Sequence, residues 1–135
     1  PPYGDSNQRV MDQIGRPLIF WSVDSNDWRW VNDAAKTTEQ ILSHAFDGAI
    51  ILVHDIHTWS ISGALNAIDK LRADGYEFVT VSELFRRRGQ TLEPYNRYNM
   101  CKPTGVQLPA ISTPVITSDL VGNTTYLKIS DFISK

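Results

Sequence analysis

The sequence predicts an α/β fold built on parallel strands. Strand-like and helix-like segments alternate from residue 17 to residue 88, and the central run Ala49-Ile50-Ile51-Leu52-Val53 is apolar at every position. Such a run belongs in a sheet covered on both faces. Helix-length crossovers separate successive strands, as parallel pairing requires. An open sheet and a barrel of βα units both satisfy these observations, and in either one ligands gather at the carboxyl ends of the strands.

Each element has a local reason. Pro17 to Val23 is rich in β-branched and aromatic residues and runs into the polar Asp24-Ser25-Asn26-Asp27 loop, which predicts a buried strand. Asp33 is placed to cap a helix reaching about Phe46, with Gly48 just beyond it. After the strand at 49–53 comes a second polar loop, His54-Asp55-Ile56-His57-Thr58. Ser60 opens a helix whose apolar face is expected at Ile61, Ala64, Leu65, Ile68 and Leu71, and Gly75 closes it. Tyr76 to Val81 predicts a third strand, and Ser82-Glu83-Leu84-Phe85 opens a last helix whose arginines suit its carboxyl end. Beyond Gly89 the prolines at 94, 103, 109 and 114 interrupt the chain until Thr124 to Ile129. The expected organisation is therefore a folded unit at 1–88 and an appendage at 89–135 leading into a β-rich stretch.

Composition removes several classes of function. Of the 135 residues 41% are hydrophobic and 21% charged, the balance of a globular chain. Thirteen basic against fifteen acidic residues give a net charge of −2, and the one dense basic run, Arg86-Arg87-Arg88, is too short for a nucleic-acid groove. No apolar run approaches the roughly 18–20 residues of a membrane span. The single Cys101 forms no internal disulfide and no multi-cysteine metal cage. A chain opening Pro-Pro without Met reads as processed or partial.

Asp27 and His54 stand out because both follow a predicted strand and face the same rim. A carboxylate accepting from one imidazole nitrogen fixes the tautomer and suits the other nitrogen to proton transfer. The structural alternative is an ordinary salt-bridged loop histidine. His57 stands three residues after His54 and His44 lies on a predicted helix, which is too little for an independent zinc site needing three or four convergent ligands. Trp21, Trp28, Trp30 and Trp59 cluster beside the two loops, where aromatic faces serve sugar rings or simply fill a core. No Gly-x-Ser-x-Gly elbow and no phosphate-cradling glycine loop occurs.

In order along the chain, Pro1-Pro2-Tyr3-Gly4, Asp24-Ser25-Asn26-Asp27-Trp28 and Leu52-Val53-His54-Asp55 resemble the Arg-Pro-Pro-Tyr-Gly, Asp-Ser-x-Asp-Trp and Leu-x-His segments of the NodB-type polysaccharide deacetylases, carbohydrate esterases of family 4. Gly75 to Leu84 is similar to the close of that domain. The resemblance covers about residues 1–88 and implies the carboxyl-terminal part of a distorted βα barrel, incomplete in this chain. It implies that His54 is the general acid for the departing amine, that Asp27 holds and polarises it, and that the Tyr3 backbone N–H stabilises the oxyanion. Leu52 and Trp21 would line the pocket for the acetyl methyl, and Trp28 would form a groove wall.

The same resemblance implies a divalent metal, zinc above all, and an acetylated polysaccharide such as peptidoglycan or chitin as substrate, handled at a bacterial surface. The family takes its base and metal ligands from Thr-Phe-Asp-Asp-Gly and His-x-x-x-His segments. This sequence has no Asp-Asp dipeptide, and its histidines at 44, 54 and 57 never stand four apart. No metal ligand is thus expected in this chain, and an amino-terminal half of the same domain is the expected partner. The rival readings are a non-catalytic glycan-binding or scaffolding module that keeps the half-barrel, and an unrelated α/β hydrolase using the His54–Asp27 pair with an unseen serine.

Overall fold

The computed structural model describes residues 1–103 and 127–130. The chain opens with a tight turn at Pro2–Gly4 and helix α1 (Gln8–Ile14), a segment to which the sequence pattern assigns no element. The Asn7 side chain caps α1 by accepting from Val10 N–H at 3.0 Å.

The strand expected at 17–23 divides into β1 (Leu18–Ile19) and β2 (Val23–Asp24). The reason lies in where the backbone finds partners. Phe20 N–H donates to the Tyr98 carbonyl at 2.7 Å, whereas Ser22 N–H donates to the Ile50 carbonyl at 2.9 Å. The chain changes neighbours across Trp21. Helix α2 (Ala34–His44) follows, with Asp33 accepting from Lys36 N–H at 2.9 Å in the expected cap. Then β3 (Ile50–Leu52) pairs parallel with β2, Val23 opposite Ile51 and Asp24 opposite Leu52.

Helix α3 (Thr58–Ala73) begins two residues before the expected Ser60, and its buried face keeps Ala64 and Leu71 of the expected one but is turned toward the small residues. Its inward stripe is Ser60, Gly63, Ala64, Ala67 and Leu71, while Ile61 and Leu65 are exposed. Small residues prevail because α2 approaches closely: a Cβ on Gly63 would stand 2.6 Å from Thr37 Cβ and 2.7 Å from the Ala34 carbonyl oxygen. Thr38 Oγ1 crosses the contact to donate to the Gly63 carbonyl at 2.9 Å. Strand β4 (Glu77–Phe78) precedes α4 (Val81–Arg87), which starts one residue early because the Thr80 hydroxyl accepts from Glu83 N–H at 3.3 Å.

Residues 89–103, expected as part of an appendage, pack onto what precedes them. Strand β5 (Arg97–Tyr98) runs parallel to β1. Cys101 N–H donates to the Gly48 carbonyl at 2.9 Å, and Cys101 is buried with Leu84 and Phe85. Arg88, itself buried, bonds both the Cys101 carbonyl and Asp47. Strand β6 (Leu127–Ser130) lies antiparallel between β3 and β4, giving the order β2-β3-β6-β4, so the sheet is mixed rather than wholly parallel. Thr124 to Tyr126 and the prolines at 109 and 114 lie outside the described residues.

The main core is Val23, Ile41, Ala49, Ile51, Ala64, Ala67 and Leu71, between the sheet and the α2–α3 pair. Each buried Ile or Leu contributes about 1.5–3 kcal/mol. Among the described residues no helix is long and apolar enough to cross a membrane. The α2–α3 contact makes a sharp test. Ala has a helix propensity about 1 kcal/mol better than Gly, yet at position 63 its methyl meets backbone oxygen, and overpacking costs about 1–3 kcal/mol. Gly63→Ala is expected to lower the urea midpoint of the chain, and an unchanged or raised midpoint contradicts the tight packing.

Candidate active site

The parallel register of β2 and β3 sets Asp24 beside Leu52, so the loops leaving these strands lie side by side. In the first, Asp24 Oδ1 accepts from Asn26 N–H at 2.9 Å while Asn26 takes a left-handed conformation, φ 50°. Asn is among the few side-chain-bearing residues that adopt it readily. The turn carries Asp27 inward, where its exposure is 0%.

Three donors meet the Asp27 carboxylate. His54 Nδ1 stands 2.7 Å from Oδ1, His54 N–H donates to Oδ2 at 2.7 Å, and Trp28 N–H donates to Oδ1 at 3.0 Å. Trp59 Nε1–H donates to the Asp27 carbonyl at 3.0 Å and so holds the backbone as well. Burial pushes the Asp27 carboxyl up, but the two His54 bonds, together with the Ser60 hydroxyl and the nearby imidazole, hold the group below its ordinary 3.8. The buried Ser60 hydroxyl is near enough to add to this lowering without making a hydrogen bond of standard geometry. An ionised carboxylate is acceptor only, so the 2.7 Å contact requires Nδ1 to carry the proton. Nε2 of His54, whose side chain is 40% exposed, is left for exchange with a ligand.

The other expected site residues take distinct places. Leu52 is half-buried at the end of β3, and Trp28 is half-exposed beside Asp27 with the Arg29 guanidinium 4.6 Å over its ring. Trp21 is half-buried on the link between β1 and β2, and its Nε1–H donates to Asp24 Oδ2 at 3.3 Å. Tyr3 has a fully exposed side chain and a left-handed backbone, φ 56°, and among the described residues nothing accepts its N–H. Gly4 lies so close to the Trp21 ring that a Cβ would meet it at 2.7 Å.

Trp59, which the sequence suggests as a sugar contact or core residue, instead supports the Asp27 backbone; its position in the first turn of α3, five residues after His54, is the signal for this. His57 caps α3 without a side-chain bond and stacks on Trp59, ring centroids 4.4 Å apart. His44 bonds the Gln40 carbonyl on the exposed side of α2. Among the described residues no three His, Cys, Asp or Glu side chains converge to hold a metal, and Asp27 and His54 are committed to each other. The residues described do not fit a metal site of their own. A surface groove between α2 and α3, lined by Thr38, Leu42 and Lys70 among others, shares no residue with this cluster.

No family model matches the chain. Individual proteins do. It is 44% identical over 95 residues to the peptidoglycan-N-acetylglucosamine deacetylase PgdA of Listeria monocytogenes, a match covering 70% of this chain and 20% of that protein. A solved deacetylase with its substrate, T48 deacetylase, superposes with a TM-score of 0.67 at 38% identity over 73% of this chain and 48% of its own. The chain belongs to the NodB-type polysaccharide deacetylases. Another solved member of this family, a family 4 acetyl xylan esterase from Clostridium thermocellum in complex with a cobalt ion, superposes with a TM-score of 0.67 at 28% identity over 74% of this chain and 51% of its own. This family chain thus spans about half of the solved domains it matches and a fifth of the Listeria protein.

Removing the Asp27 charge tests the geometry. A folded pKa below the unfolded one adds stability that is present above about 3.8 and lost as pH falls through the folded value. Asp27→Asn is expected to cost on the order of 2–3 kcal/mol at neutral pH, discounted for the part-exposed imidazole. In paired acid titrations the gap between the two proteins should narrow below about pH 4, and a gap independent of pH refutes the ionised, paired carboxylate.

Proposed function

We propose that this chain supplies the general-acid side of a metal-dependent hydrolysis removing N-acetyl groups from an N-acetylglucosamine-containing polysaccharide. The observation that carries the reading is the Asp27–His54 pair: a buried carboxylate bonded to both the ring and the backbone N–H of one histidine, at the strand ends where a βα fold binds ligands. A binding module has no need of an oriented, proton-carrying imidazole.

In this reading the attacking water gives its proton to the catalytic base as it adds to the acetyl carbonyl, the C–N bond then breaks, and the departing amine takes the Nε2 proton of His54 in its imidazolium form, protonated beforehand from solvent, leaving acetate and a free amino sugar. Asp27 keeps Nδ1 protonated and steadies the imidazolium before the proton is given up. The free Tyr3 N–H is the donor offered to the oxyanion, a contribution of a few kcal/mol when a donor is fixed in place. Leu52 and Trp21 enclose the acetyl methyl, and Trp28 forms the groove wall. A divalent metal, zinc in the first instance, would lower the pKa of the attacking water in this reading. The metal's ligands and the catalytic base would be supplied from outside the described residues, by the amino-terminal half of the domain. Peptidoglycan is the favoured polymer because the Listeria relative is named for it, which in turn favours the outer face of a bacterial cell as the place of action.

The test is a chimera in which this chain replaces the matching 95 residues of the Listeria deacetylase. Acetate release from acetylated peptidoglycan fragments is expected, and His54→Ala should lower kcat by about 10²–10⁴ with KM little changed. A His54→Ala chimera that keeps its rate overturns the assignment and favours a glycan-binding role.

A further inference from the structure

One carboxylate, Asp24, touches both halves of the site that the reaction must keep aligned. Its Oδ1 accepts from Asn26 N–H at 2.9 Å and fixes the turn that delivers Asp27. Its Oδ2 accepts from Trp21 Nε1–H at 3.3 Å. The indole so held is the surface on which the Pro2–Gly4 turn sits, with room for a glycine hydrogen and nothing larger at position 4. Trp21 is also where the backbone passes from its β5 partner to its β3 partner, so its ring is anchored at a corner and not along a regular strand. Gly4 directly follows Tyr3, whose left-handed backbone leaves its N–H without a protein acceptor among the described residues.

We infer that Asp24 is a positioning residue for deacetylation: through the Trp21 indole it sets where the Tyr3 N–H lies relative to the Asp27–His54 pair. This rests on the functional reading above. Asp24 touches no reacting atom. It orients the wall that seats the oxyanion donor, and it does so with the oxygen that the turn does not use. A donor displaced by a fraction of an ångström still admits substrate but stabilises the transition state less, so the loss falls on kcat.

Asp24→Asn separates the two bonds, since its carbonyl oxygen still accepts from Asn26 N–H while its NH₂ group cannot accept from an indole. Trp21→Phe removes the same bond from the other side and keeps most of the ring. In the chimera each single variant is expected to lose about tenfold in kcat with KM within about twofold, and the double variant should be no worse than the worse single. The Asn26 and Asp27 amide signals should be unmoved in Asp24→Asn, which confirms that the turn survives. Losses that multiply in the double variant, losses confined to KM, or no loss at all overturn the positioning role. The His54→Ala chimera separates the two levels. If it is inactive while the Asp24 and Trp21 effects multiply, only the positioning role fails; if it is fully active, the deacetylase reading fails and the positioning role with it.

Discussion

A charge buried without solvent is the constraint around which this chain is arranged. Desolvating a carboxylate costs several kcal/mol unless its lone pairs are met by donors. Asp27 meets that cost with three donors to its oxygens, two of them backbone N–H groups whose positions only the fold can set. The His54 N–H reaches Oδ2 because β2 and β3 are in parallel register with Asp24 opposite Leu52, so the two loops leave the sheet level with each other. That register is itself held by the core of Val23 and Ile51 beneath the loops. A slip of either strand by one residue would turn its side chains to the opposite face and pull the two loops out of step, leaving the carboxylate without its His54 partners.

The helices contribute in a similar way. Trp59, in the first turn of α3, ties that helix to the Asp27 carbonyl. The close approach of α2 and α3 over Gly63 fixes the depth at which α3 sits. Further out, Arg97 on β5 donates to the Ser6 carbonyl at 2.7 Å and contacts Met11 Sδ, holding the amino-terminal segment that bears Tyr3. Residues far apart in sequence therefore share responsibility for one small cluster.

Local chemistry was legible in the sequence, and long-range partnership was not. The Asp33 cap, the left-handed Gly75 and the fully apolar β3 are written in neighbouring residues, and so was the expectation that Asp27 and His54 meet at a strand-end rim. The division of the 17–23 strand was hidden because apolarity is continuous through Trp21 while the hydrogen-bond partner changes from Tyr98 to Ile50. The buried face of α3 was misjudged because Ile61 and Leu65 are more hydrophobic than Gly63 and Ala67, and only the nearness of α2 makes small size decisive. Cys101 looked peripheral amid prolines, yet its backbone completes a bond to Gly48 and its side chain fills the space beside Phe85. Asp24 looked like one more loop carboxylate until its two oxygens were seen to have different partners.

The central claim is that Asp27 dictates which nitrogen of His54 carries the proton. A long-range ¹H–¹⁵N spectrum of the chain at a pH where the imidazole is neutral reads this directly. The proton should reside on Nδ1, with Nε2 showing the ¹⁵N shift of a bare, acceptor nitrogen. A proton on Nε2 with Nδ1 bare would mean that the carboxylate does not orient the ring, and proton transfer from His54 as described here could not stand.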